Sequence, residues 1–172
     1  MNSAASLIRN LDDERLYDLV FRAAEEVFDH DEVIYEQLVP PVPIRVVLFT
    51  YSLDGYIRCA GLKGYVFEAL PNHFIPSAFD IIGCNDIGSI LRDLHTNFSG
   101  HESPDFRIDR AIRDLDSYFE SKPDLLQRID SLEDKYFETS SDVVLWTACQ
   151  FIRDSPSDFE ILFPTMEANF PG

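Results

Sequence analysis

Between Leu62 and Phe98 three apolar runs follow one another, separated by residues that end or begin helices. The first, Leu62 to Leu70, stops at Pro71-Asn72, because proline offers no amide donor and its ring collides with the preceding helical turn. The second, Ser77 to Ile82, runs into Gly83, a residue free to take the positive φ of a helix C-terminus. Asn85 then stands where the N-cap of a third helix, Asp86 to Asn97, is expected. This order predicts a helix-turn-helix junction, in the architectural sense, at the centre of the chain. The surrounding block, 37 to 100, contains only five acidic and four basic residues. Nearly neutral and aliphatic, it is core material, and it leaves the charge to the flanks.

Those flanks carry nearly all of a net charge of −17 over 172 residues: ten acids against three bases in 1 to 36, sixteen against seven in 101 to 172. Charge of that size can signal disorder, but 45% hydrophobic content and 14 Phe argue otherwise. The length fits one domain, 1 to 172, with a sizeable core. Nucleic acid and anionic membranes would meet a field of their own sign, which argues against either as a direct ligand and for a basic protein as partner. Cys59, Cys84 and Cys149 sit in scattered apolar contexts with no repeated spacing. They read as unpaired, mostly buried thiols of a cytoplasmic protein. The most apolar block, Val46 to Phe49, is too short to span a bilayer.

The clearest helix runs from Asp12 to Asp29. Leu16, Leu19, Val20, Ala23, Ala24, Val27 and Phe28 fall on one stripe, Asn10 or Asp12 can cap its start, and Asp13 and Glu14 suit the positive end of its dipole. Asp18, Arg22 and Glu26 form a ladder on its outer face. Before it, residues 1 to 10 are expected to be a loose arm or a short helical turn. After it, the prolines at 40, 41 and 43 make a linker. Val46 to Phe49 is read as helix because its neighbours are helical and no strand of similar strength lies near. Asp54-Gly55 marks a turn. Residues 99 to 104 form a loop, and a helix follows from Phe106 to Phe119. Another begins at Pro123, and a last one, Asp142 to Arg153, can be capped by Ser140 or Ser141. From 154 to 172 the Pro and Phe punctuation predicts an irregular tail. The whole is an all-α domain of seven to nine helices.

No constellation of catalytic residues emerges. Zinc needs close ligand pairs and calcium a loop of alternating acids, and neither is present; His30, between Asp29 and Asp31, is the nearest approach. His73, His95 and His101 read as ordinary hydrogen-bonding residues. There is no Gly-x-Ser-x-Gly elbow and no thiol in an electropositive setting. Gly61 and Gly64 lack the further glycines and Lys-Ser/Thr ending of a phosphate loop. Adjacent carboxylates, Asp12-Asp13 and Glu133-Asp134, follow from the sheer number of acids. No cofactor, metal or catalytic residue is expected. What remains is the spacing of acids on helices: neighbours one turn apart stand about 5–6 Å from each other. This is of the order of the phosphate separation along a nucleic-acid strand, where each nucleotide rises about 3.4 Å. Asp12, Asp13, Glu14, Asp18, Glu25, Glu26, Asp29, Asp31 and Glu32 are therefore the candidate partner-binding surface, although an acidic surface also serves solubility alone.

The segment Tyr56-Ile57-Arg58-Cys59-Ala60-Gly61-Leu62-Lys63-Gly64-Tyr65-Val66-Phe67 resembles the glycine-aromatic segment of a bacterial family of small helical proteins that includes a DNA mimic. Ala78-Phe79-Asp80-Ile81-Ile82-Gly83-Cys84-Asn85-Asp86-Ile87 resembles its short helix, glycine and second helix, and Leu115 to Phe119 and Phe151-Ile152 follow in the same order. The single glycines at 61 and 64, and Pro71 before Asn72, depart from the family pattern. The resemblance implies an all-α domain, often a homodimer, that acts in transcription regulation by covering the DNA-binding surface of a transcription factor. The alternative is an interaction or immunity-type module that binds through an apolar groove near Gly61 to Tyr65.

Overall fold

The computed structural model describes residues 4–34, 37–68, 72–98, 120–140 and 142–169. Among these the protein is all-α, with nine α-helices, one 3-10 helix and no strand. Pro71, the loop at 99 to 104 with His101, the helix expected from Phe106 to Phe119, Glu36 and Ser141 lie outside the described residues.

The centre of the fold is α4 (Val42–Glu68). It starts inside the proline run: the amides of Ile44 and Arg45 bond back to the Pro41 carbonyl at 3.0 and 3.1 Å, and Pro43 sits in the first turn, where a missing donor costs nothing. Ile44 and Val46 through Phe49 are fully buried. A helix apolar all round is one enclosed by others, and this explains why β-branching did not make it a strand. The turn expected at Asp54-Gly55 is absent. Asp54 instead accepts hydrogen bonds from Arg58 Nε one turn on, at 2.7 Å, and from Tyr136 OH at 2.6 Å, so its carboxylate braces the helix. The break comes later, at Gly61, with φ 71° and ψ 177°.

Around α4 pack α2 (Asp13–Val27), α5 (Ile75–Ile81), α6 (Asn85–Phe98), α7 (Pro123–Ser140) and α8 (Val143–Asp154). Two short helices, α1 (Ala4–Asn10) and α3 (His30–Ile34), flank α2. The junction between α5 and α6 is the one the sequence predicts, with Gly83 at φ 92°. Asn85, however, is the first helical residue rather than the cap; Cys84 precedes it, its carbonyl accepting from the Gly88 amide at 3.0 Å. Pro123 opens α7 as expected, and Asp142 holds the cap position of α8.

At the N-terminal end the helical alternative is the one realised, and the C-terminal end differs from expectation. The N-terminal arm is helical, with Ala4 and Ile8 fully buried. The expected tail forms a 3-10 helix (Pro156–Leu162) and then α9 (Phe163–Asn169), and Phe159, Leu162 and Met166 are fully buried in the core. Pro156 and Pro164, read as breakers, stand in the first turns of these two helices, where proline fits.

Cysteine needs one correction. All three are unpaired and Cys84 and Cys149 are buried, but Cys59 is exposed. It lies on the outer side of α4 between Arg58 and Ala60, both exposed, while Cys149, facing the core, has its thiol pushed up to about 12 by burial and by the charge of Asp13. Native protein should therefore titrate one thiol quickly with a disulfide reagent and two only after denaturation. Three slow thiols would contradict this placement of Cys59.

Candidate functional site

The acidic face of α2 is built on a well-anchored helix. Asp12, in extended conformation, accepts the Arg15 amide at 2.9 Å, and Leu16, Tyr17, Leu19, Val20, Phe21, Ala23 and Ala24 are buried beneath. The helix packs on α4, α8 and α9. Two buried or half-buried ties fix it to α4: Tyr17 OH donates to Thr50 Oγ1 at 2.7 Å, and Tyr51 OH donates to Asp18 Oδ1 at 2.9 Å. The Phe21 and Tyr51 rings stack at 4.0 Å between centroids.

The candidate carboxylates divide into two groups. Asp12, Asp13 and Asp18 are engaged within the protein. Asp12 caps α2 and pairs with Arg15 at 3.5 Å, and Asp13 binds Arg153 of α8 at 2.5 Å while that guanidinium also donates to the Leu11 carbonyl. Asp18 pairs with Arg22 at 2.9 Å. Glu26 belongs with them in part, since it accepts from Asn169 of α9 at 3.2 Å and not from Arg22. Asp29 caps α3, accepting the Glu32 amide at 3.2 Å. Glu14, Glu25 and Glu32 are exposed and make no ion pair among the described residues. Glu14, Asp18 and Glu25 lie within about 40° of one another around the axis of α2, over roughly 16 Å of its length. The structure describes no side-chain position for Asp31.

The segment from Gly61 to Tyr65 is not an open groove. Leu62 and Tyr65 are fully buried, and Glu133 of α7 lies over the break, accepting the Leu62 amide at 2.6 Å. That carboxylate does for the restarted helix what an N-cap side chain does, from 71 residues away in sequence. Nearby, Tyr65 OH and His95 Nε2 are 2.8 Å apart in the interior. Burial, helped by His73, lowers His95 to about 4, so the ring is neutral at pH 7. His30 bonds Ser52, whose hydroxyl is donated to Leu48, so its Nε2 carries the hydrogen. No group of three or more His, Cys, Asp or Glu among the described residues is placed to hold a metal.

Between α6 and α7 lies a shallow cleft of about 300 Å³ with Ile90 and Leu132 at its floor and Asp86, Asp93, Lys135 and Glu138 around it. Asp93 is paired with Arg128 at 3.8 Å. On α8, Trp146 is exposed. Neither feature had a local signal, because each depends on which helix lies alongside. No helix among the described residues is long and apolar enough to cross a membrane.

Comparison with protein-family models, with curated proteins and with solved structures finds no match.

Proposed function

We propose that this protein is a non-enzymatic, acidic interaction module that mimics DNA, occupying the basic, nucleic-acid-binding surface of a partner such as a transcription factor. The reading rests on one observation: Glu14 and Glu25 stand exposed on a face of α2, without a neutralising cation among the described residues, on a helix fixed by buried packing and by Tyr17 and Tyr51. An ordered carboxylate row loses less freedom on binding than an acidic tail would. With 31 acids and 14 bases the whole surface adds a long-range field that steers a basic protein towards it. Unpaired thiols suit a reducing compartment, and we place the protein in the cytoplasm on that ground.

The clean test is the double reversal Glu14→Lys with Glu25→Lys, which spares the caps and ion pairs of Asp12, Asp13, Asp18 and Asp29. Partner capture from native extract at low salt should weaken about tenfold or more, with the wild-type interaction itself fading as salt is raised. Helix content should stay unchanged. Undiminished capture of the same partner by the double variant would rule this face out.

A further inference from the structure

Trp146 is the chain's single tryptophan, and it is 60% exposed. Indole is normally among the more buried side chains, so this much exposed ring invites a binding explanation. The helix that carries it is not loose: Val144, Ala148, Cys149 and Ile152 bury the opposite side of α8. Val143, Trp146, Gln150 and Asp154 follow at i, i+3, i+7 and i+11 and form one outward stripe. Phe137, 43% exposed, lies in the last turn of α7, before Val143 in sequence.

Carboxylates frame this apolar stripe. Asp142 lies one turn before Trp146; although it holds the cap position of α8, its side chain makes no capping bond. Asp154, two turns beyond Trp146, is steadied by the Gln150 amide at 2.7 Å. Among the described residues the cations that bear on this face are engaged: Arg58, which feels the charge of Asp142, is bound to Asp54 at 2.7 Å, and Arg153 is bound to Asp13. A second copy of this chain is a poor occupant, because it would bring Asp142 and Asp154 against their like. An aromatic face with an acidic rim fits a cation. Arginine fits better than lysine, since its planar guanidinium can lie on the indole while its edge donates to a carboxylate.

We propose that the Trp146 face of α8 is the docking surface for an arginine of the basic partner, the guanidinium stacking on the indole and donating to Asp142. This rests on the reading that the partner is basic, and it places the aromatic anchor of that interface on α8 rather than on α2.

Because Trp146 is the sole tryptophan, its emission reports on this surface alone. The full chain is titrated at low salt with synthetic oligoarginine and with oligolysine of equal length, binding being followed by anisotropy of the labelled peptide and by Trp146 emission. Oligoarginine should change the emission saturably and bind more tightly than oligolysine. Trp146→Leu should weaken oligoarginine binding about 3- to 30-fold and leave oligolysine nearly unaffected, while Trp146→Phe recovers part of the loss. Oligoarginine that binds without changing the emission, equally well to Trp146→Leu, and more weakly to Glu14→Lys/Glu25→Lys overturns the assignment to α8 and leaves the acidic-module reading standing. Equal binding and equal emission change with oligolysine overturns the arginine preference. If neither peptide binds any variant at low salt, the basic-partner reading itself falls.

Discussion

Replacing Phe159 with alanine is expected to lower stability by about 3–5 kcal/mol, the loss typical of a large aromatic removed from a packed interior. The side chain is fully buried in the 3-10 helix, edge-on to Phe151 with ring centroids 6.3 Å apart. That short helix packs on α1, α2, α4, α8 and α9, so a cavity there loosens both chain ends at once. Ile161, two residues on, is 56% exposed, and its replacement by alanine should change stability by no more than about 0.5 kcal/mol. Urea denaturation of the two variants decides the matter. Equal midpoints would mean that residues 156 to 169 lie on the surface as a tail and are no part of the core.

The C-terminal misreading has a plain physical cause. Phe159, Leu162 and Met166 recur at three and four residues, which is a helical stripe, but Pro156 and Pro164 interrupt the eye at the points where proline is most at home. The same weighting of one residue over the pattern around it placed a turn at Asp54-Gly55. There the deciding partner, Tyr136, comes 82 residues later, and no local rule could supply it. Where burial follows a single stripe, as for α2, periodicity gave the element and most of its buried face, with Asp12 of the two candidate caps realised; Val27, expected on that stripe, is exposed at the helix end, and Tyr17 and Phe21 are buried beside it. Cys59 lies on the outer side of α4, and there the general tendency of cysteine towards burial gives way to the position of the residue on its helix. For the candidate site, the sequence supplied the carboxylates but not their availability. Asp13 was indistinguishable from Glu14 until Arg153, 140 residues on, was placed beside it.

Gly61 should prove the least replaceable position in the central helix. Its φ of 71° with ψ of 177° belongs to a region that is essentially open to glycine alone, and forcing another residue there costs about 1–3 kcal/mol. A Cβ at this position would also stand 2.5 Å from Glu133 Oε2, the atom that accepts the Leu62 amide at 2.6 Å. Displacing that carboxylate strands a donor at a fully buried residue, worth about another 1–3 kcal/mol. Gly61→Ala should therefore lose both contributions, and Glu133→Ala only the second. Because both changes remove the same hydrogen bond, the double variant should be less destabilised than the sum of the singles, by roughly the 1–3 kcal/mol of that shared bond. Thermal or urea unfolding of the four proteins gives the cycle directly. Strict additivity would mean that Glu133 and the break at Gly61 act independently, and the carboxylate of α7 would then not be what holds the two arms of α4 in their kinked arrangement.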